Sequence, residues 1–196
     1  LLAVDTPFIY AMPERIPSLI YTMLNIISKY GNSYVSGPAY TWHAFFLCFG
    51  KQYHEGNLFG RLGVNLLKKY PYPGMASKIM DFQYAYLLHW EVPVHDLIAP
   101  LKDYYRVGMQ EGNFEWGLYC LLNHSLLRWS TGKPLDDYLT EVEPSIAICK
   151  SKNHEITLLM FLMFAESTCN LTGKSASKTQ LEGKWFSEEK MISTLE

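Results

Sequence analysis

Leu87–Gly132 reads LLHWEVPVHDLIAPLKDYYRVGMQEGNFEWGLYCLLNHSLLRWSTG, and its punctuation decides the fold. Pro93 opens one helix, because the first turn of a helix does not need the N–H that proline lacks. Gly112-Asn113 closes that helix and caps the next, since Gly tolerates the left-handed backbone of a helix stop and Asn accepts from free N–H groups at a helix start. Between these marks Val94, Leu97, Ile98, Leu101, Tyr104, Tyr105 and Gly108 fall at the i, i+3, i+4, i+7 spacing of a one-sided helix. Pro100 lies inside this stripe and is expected to kink or split it. The stretch is helix, tight turn, helix, tight turn.

The same grammar runs outward in both directions. Ile16-Pro17 starts a helix that reaches Tyr30 and stops at Gly31-Asn32; Ser36-Gly37-Pro38 starts one that runs to about Gln52 and is apolar on nearly every side. Glu55-Gly56-Asn57 reads as a turn before Leu58, Leu62, Leu66 and Leu67, and Tyr70-Pro-Tyr-Pro-Gly74 breaks the chain again. A helix follows from about Met75 to Trp90. On the other side, Pro134 opens a helix with Tyr138, Val142, Ile146 and Cys149 on one face and Pro144 within it, and Asn153 caps a last one that ends near Leu171. Alternate helices start near Pro38, Gly74, Asn113 and Asn153, at intervals of 36, 39 and 40 residues. A period of this length, with a helical hairpin as its unit, predicts an all-α fold, an α-α superhelix: a tetratricopeptide-like solenoid of about four hairpins. The expected layout is an irregular segment over 1–15, a helical-repeat solenoid over 16–171, a polar loop over 172–186, and the start of a further helix over 187–196.

Composition narrows the function classes. The chain has 196 residues, 48% hydrophobic and 18% charged, with 15% aromatic and 14 Tyr, which suits broad faces of large amphipathic rings. A net charge of −2 with scattered Lys and Arg lacks the basic footprint of a nucleic-acid binder. No apolar run approaches the length of a membrane span. The first residues hold acids and prolines where a signal peptide would be basic and then continuously apolar. Cys48, Cys120, Cys149 and Cys169 lie at least 20 residues apart and mostly in apolar helices, so they read as reduced core thiols of a cytoplasmic protein. The chain reads as a piece of a longer polypeptide.

Chemistry-bearing motifs are sparse. Thr172-Gly-Lys-Ser175 ends like a phosphate-binding loop, yet Thr168 stands where that loop needs Gly and a helix precedes it, so it reads as a loop. The six histidines never adopt metal-ligand spacing, and no metal or cofactor is expected. Cys120 and His124 share a helix face, but a thiol among apolar neighbours has a raised pKa, the reverse of what a nucleophile needs. Asp136, Asp137, Glu141 and Glu143 read as a solvated helix face, and the sequons at Asn123 and Asn170 as chance matches. No catalytic residues are expected. The remaining lead is a polar stripe on otherwise apolar helices, Asp81, His89, His124, Arg128, Glu166 and Asn170, which in a solenoid would face a protein or a flanking domain of the same chain.

The run Leu88-His-Trp-Glu-Val-Pro93, with Pro100-Leu101, Tyr104, Gly108, Glu111-Gly112-Asn113, Gly132-x-Pro134-Leu135, Asn170-Leu171, Leu181-x-Gly183 and Phe186-x-Glu188-Glu189, resembles the helical region of large multidomain signalling ATPases of the STAND type. In those chains a kinase-like domain, a nucleotide-binding domain, the helical region, sensor domains and often a histidine kinase follow one another. The resemblance extends from about Gly31 to the end and rests on short helix-packing motifs. It implies a tetratricopeptide-like scaffold or sensor arm without catalytic residues of its own. The helices here are longer than those of a standard tetratricopeptide repeat, and Asn113–Cys149 departs from the usual Trp, Gly, Tyr and Ala pattern. Two functions follow as expectations: a non-catalytic scaffold or regulatory segment of a cytosolic signal-transduction protein, or a small-molecule sensor with an aromatic-lined pocket between helices. Limited proteolysis is expected to cut first within 172–184 and to leave 31–171 intact; earlier cleavage within 31–171 would contradict these boundaries.

Overall fold

The computed structural model describes residues 5–175, 177 and 179–195; the remaining positions of the expected N-terminal segment, polar loop and last helix lie outside them. The fold is all-α. The helices are α1 (Asp5–Ala11), α2 (Ile16–Tyr30), α3 (Ser36–Phe49), α4 (Tyr53–Lys69), α5 (Met75–Asp81), α6 (Val94–Gln110), α7 (Phe114–Ser130), α8 (Leu135–Ser151), α9 (Glu155–Thr172) and α10 (Glu188–Leu195). Among the described residues no strand forms, only an isolated antiparallel bridge between Glu182 and Ser187. No helix of the described residues is long and apolar enough to cross a membrane. The chain divides into two compact units, Leu1–Cys120 and Leu121–Glu196, with the division inside α7.

Within the first unit, helices that follow one another in the chain pack together, as a superhelical arrangement of hairpins requires. α3 and α4 pack closely, and glycines explain it. Gly56, Gly60 and Gly63 share one face of α4; a Cβ on Gly63 would stand 2.7 Å from Thr41 Cγ2, and one on Gly37 would stand 3.2 Å from the Gly63 carbonyl. The start of α3 therefore meets the end of α4, and the end of α3, at Ala44 and Cys48, meets Gly56. Gly56 is thus not the turn its sequence suggests: Glu55-Gly56-Asn57 lies within α4, and the missing side chain serves close approach between helices. Gly108 of α6 and Gly117 of α7 repeat the device, for a Cβ on Gly108 would stand 2.7 Å from Gly117 Cα.

Three further elements differ from the sequence reading. Asp5–Ala11 is helical within the segment expected to be irregular, because Pro7 falls in the first turn, where its missing N–H costs nothing. The helix expected over 75–90 changes type. After α5 the backbone widens into a π-helix, Phe82–Leu87, with Leu88 N–H donating to the Gln83 carbonyl, and then tightens into a 3₁₀ turn, Leu88–Trp90. Neither internal proline divides its helix: α6 continues through Pro100 and α8 through Pro144. In α6 the buried Leu97 and Leu101 flank Pro100 and anchor the path across it.

In the second unit α8 packs on α9, burying Tyr138, Val142 and Ile146 from the one and Phe161 and Ala165 from the other. Trp129 Nε1 donates to Thr168 Oγ1 at 3.0 Å, and Ser125 Oγ donates to the Tyr138 hydroxyl at 3.1 Å. The polar stretch after α9 folds back on it: Asn170 Nδ2 donates to the Gln180 carbonyl at 2.8 Å and Trp185 N–H to Glu166 Oε2 at 3.0 Å. Ser187 Oγ accepts from Lys190 N–H at 3.3 Å and caps α10, the start read from Ser187 and its acidic neighbours.

Gly108→Ala forces backbone apart and is expected to lower unfolding free energy by about 1–3 kcal/mol. Gly112→Asn, at a left-handed turn with open space around it, is expected to be nearly neutral because Asn tolerates that conformation. Urea denaturation of the two variants checks the contrast.

Candidate functional site: an aromatic chamber

The first unit holds a cavity of about 570 Å³ whose wall is mostly aromatic. α3 supplies Trp42, Phe45, Phe46 and Phe49 at i, i+3, i+4 and i+7, so one stripe of that helix is entirely rings. The π-helix supplies Phe82 and Tyr86, and α7 supplies Trp116 and Tyr119. Wide π turns recur at functional sites, and this one sets two rings into the wall. α1 and the start of α2 complete the enclosure with Ile9, Tyr10, Ile16 and Pro17.

The wall rings meet in mixed geometry: Phe45 and Phe49 lie nearly parallel at 6.4 Å, whereas three pairs made by Phe45 are close to perpendicular. Phe45 stands edge-on to Trp42 at 5.9 Å and 89°, to Phe82 at 5.9 Å and 79°, and to Tyr86 at 5.7 Å and 87°. Edge-to-face contact is the favourable geometry for ring quadrupoles. The hydroxyls of Tyr10 and Tyr119 hydrogen-bond to each other. Burial, and then that bond, push the Tyr119 phenol far above its usual range, so it stays neutral.

Behind the wall lies a buried ion pair. Lys78 of α5, 4% exposed, meets Asp5 of α1, 1% exposed, and Trp42 Nε1 donates to the same Asp5 Oδ2 at 3.0 Å. Burial lowers the Lys78 pKa, while the charge and hydrogen bond of Asp5 oppose that effect. Burial raises the Glu115 carboxyl, with Lys78 pulling it back down. Lys78 Nζ also stands 4.9 Å from the centroid of the Trp116 ring.

The six polar-stripe residues are distributed otherwise than along one exposed face. Asp81, 1% exposed, contributes to the chamber wall, and the nearby Cys120 thiol donates to the Ser77 carbonyl at 3.4 Å. His89 is half-buried in the 3₁₀ turn with its ring 4.6 Å from Trp90. His124 is half-buried on α7; Arg128 is buried and donates to Glu141 Oε1 at 3.1 Å. Glu166 is buried under Gly183 and Trp185, and Asn170 holds the returning loop. Arg128, Glu166 and Asn170 therefore tie their own unit together, and Asp81 belongs to the chamber.

The phosphate-loop lookalike is engaged elsewhere. Gly173 takes a left-handed φ of +73°, and the N–H groups of Lys174 and Ser175 both donate to the Cys169 carbonyl, so they close α9. Lys174 Nζ pairs with Asp136 at 2.6 Å. Among the described residues no three His, Cys, Asp or Glu side chains cluster as metal ligands would. The Cys120 thiol is pushed far above the usual range by burial and then by the charge of Asp81, which keeps it protonated. The sequence reading missed Asp5, Lys78 and the enclosure. The ring spacing on α3 was the available signal for the wall, whereas nothing local marks a pair 73 residues apart.

Comparison of the chain with protein-family models, with curated proteins and with solved structures gives no match. The protein is defined by its fold and its cavity: an all-α chain whose first unit carries a half-open aromatic chamber.

Removing either member of the buried pair strands the other in a dry site. Lys78→Met and Asp5→Asn are each expected to cost about 3–5 kcal/mol, and the double variant less than either single change. Urea denaturation of the three variants provides the cycle.

Proposed function

We propose that this chain is a small-molecule-sensing helical domain, non-catalytic itself, within a larger signalling protein. One observation carries the proposal: a half-open cavity of about 570 Å³, within the size range of small-molecule sites, walled by rings and flanked by α1. A wall of this kind supplies burial and shape, with few polar groups to orient chemistry. The resemblance of Leu88–Pro93 and the Glu111-Gly112-Asn113 turn to the helical region of signalling ATPases suggests the setting, an arm between catalytic modules. Binding in the chamber would stabilise the seat of α1 on α3 and α5, a change that neighbouring modules could read.

A second reading, a helical-repeat scaffold for interdomain contacts, draws on the apolar side chains at helix ends. Phe49 is 85% exposed at the end of α3 and Tyr30 75% exposed at the end of α2. Such residues cover themselves readily against another surface.

The neutral fluorescent probe N-phenyl-1-naphthylamine tests the sensing proposal. Saturable binding of one probe per chain is expected, with affinity in roughly the micromolar range. Ile9→Trp, which fills the cavity from the α1 side, is expected to weaken it about ten-fold while the circular dichroism spectrum stays unchanged. Absence of saturable binding, or equal binding by the filled variant, would overturn the proposal.

A further inference from the structure

At the end of α3 the first unit leaves a group of rings in water. Phe49 is 85% exposed, Trp90 49% and Tyr86 38%. Phe49 projects because α3 stops there: Gly50 and Lys51, the latter at a left-handed φ of +64°, turn the chain back into α4. Beside it lies a small cleft of about 150 Å³ lined by Phe45, Cys48, Phe49, Tyr86, His89 and Trp90. Tyr53 stacks on the Trp90 ring at 4.0 Å and backs that wall. An apolar space of this size holds one benzene ring. A projecting ring and a ring-sized hole therefore sit side by side on one face.

Charge and symmetry limit what such a face fits. When two copies of a chain meet about a two-fold axis each patch meets itself, so a patch of one sign repels its copy and a neutral one does not. None of the six lining residues is Lys, Arg, Asp or Glu, and burial shifts the pKa of His89 down and that of Cys48 up, which favours the neutral form of each. The adjoining charges, Arg61 and Glu91, are paired with each other at 2.7 Å. A knob and a hole far apart on a surface link copies head to tail without closing. Side by side they satisfy each other twice across one axis, and the assembly closes at two copies. The area suffices for a weak pair. Phe49, Trp90, Tyr86 and, at the chamber, Tyr10 at 49% exposed leave roughly 500 Å² of ring surface per chain in water, taking an aromatic side chain at about 150–250 Å². Two copies would remove about 1,000 Å², where weak but specific interfaces begin.

We infer that this face is a self-association surface, on which a second copy of the chain seats its Phe49 in the cleft between Phe45 and Trp90 and receives the reciprocal ring in its own. Phe45, Phe49 and Tyr86 also line the aromatic chamber, so the second copy covers part of its open side. Association is separate from ligand binding and would hold for a sensor or a scaffold alike.

Sedimentation velocity of the full chain over a dilution series from about 1 to about 300 μM provides the test. A reversible monomer–dimer equilibrium with its midpoint at roughly tens of micromolar is expected for an interface of this size. Phe49→Glu sets a charge against its own copy and is expected to raise the dissociation constant at least about ten-fold. Its circular dichroism spectrum is expected to stay unchanged, because the position is 85% exposed. Should that variant lose its helical spectrum, Phe49→Ser, which removes the ring without adding charge, carries the same expectation. Tyr30→Glu is the control: Tyr30 is 75% exposed but ends α2 at the turn into α3, the opposite end of that hairpin from Phe49. Its dissociation constant is expected to stay within about two-fold of the parent value. A chain that remains monomeric at the highest concentration overturns the inference and leaves the face to a partner of different sequence. Dimers that survive the Phe49 variants, dissociate equally in Tyr30→Glu, or grow beyond two copies overturn it as well.

Discussion

The chamber depends on Asp5 and Lys78. Bringing two full charges to 1% and 4% exposure is costly, and the attraction between them offsets the cost only because the geometry is filled out: Trp42 donates to the same carboxylate oxygen that Lys78 engages. The pair joins α1 to α5, and the indole brings in α3, so three elements are fixed by one carboxylate. α1 is seven residues long and has little helical stability of its own. The pair is its polar anchor on α5, and Ile9 and Tyr10 are the residues it contributes to the chamber wall. The ion pair thus contributes less to net stability than to specifying where α1 lies.

The all-α class and the hairpin order were legible because helix periodicity and turn chemistry are local. The boundaries read from Pro93, Gly112-Asn113 and Ser187 rest on capping that a few residues decide among themselves. What escaped the sequence was decided at a distance. Gly56 has the composition of a turn, and only its contact with Ala44 and Cys48 shows that it serves packing between helices. The π-helix has no periodic signature, since Phe82–Leu87 reads like any amphipathic segment, and its backbone is set where Gln83 and Leu87 fit against Gly60 of α4. α1 escaped because Asp5, a hydrophilic residue near a chain end, is buried by a partner 73 residues away.

The polar stripe shows the same limit for the site. A charged residue on an apolar helix is either a binding group or a structural one, and the difference lies in the partner. Arg128 reaches Glu141 on the next helix, whereas Glu166 receives the Trp185 N–H and Asn170 holds the Gln180 carbonyl, both from a returning loop that the helix pattern does not place. The candidate site was legible in part. An aromatic-lined pocket between helices follows from the ring content, and the rings of α3 at i, i+3, i+4 and i+7 are its wall. The enclosing side was not legible, because α1 falls in a segment whose prolines read as breakers.

The polar atoms around the chamber are engaged with one another, and this shapes what recognition there can be. The hydroxyls of Tyr10 and Tyr119 bond as a pair, the Trp42 N–H is held by Asp5, and the Cys120 thiol donates to the Ser77 carbonyl. Tyr119 stays protonated because burial and its bond to Tyr10 both disfavour the phenolate. Little of the wall is left to orient a ligand by directional hydrogen bonds. Shape, burial and the electrostatics of ring faces remain, and of these only the last distinguishes one charge from another. What the chamber can fit is therefore a property of the framework that holds the rings, and that framework is the helix packing around Phe45 and the ion pair that seats α1 beside it.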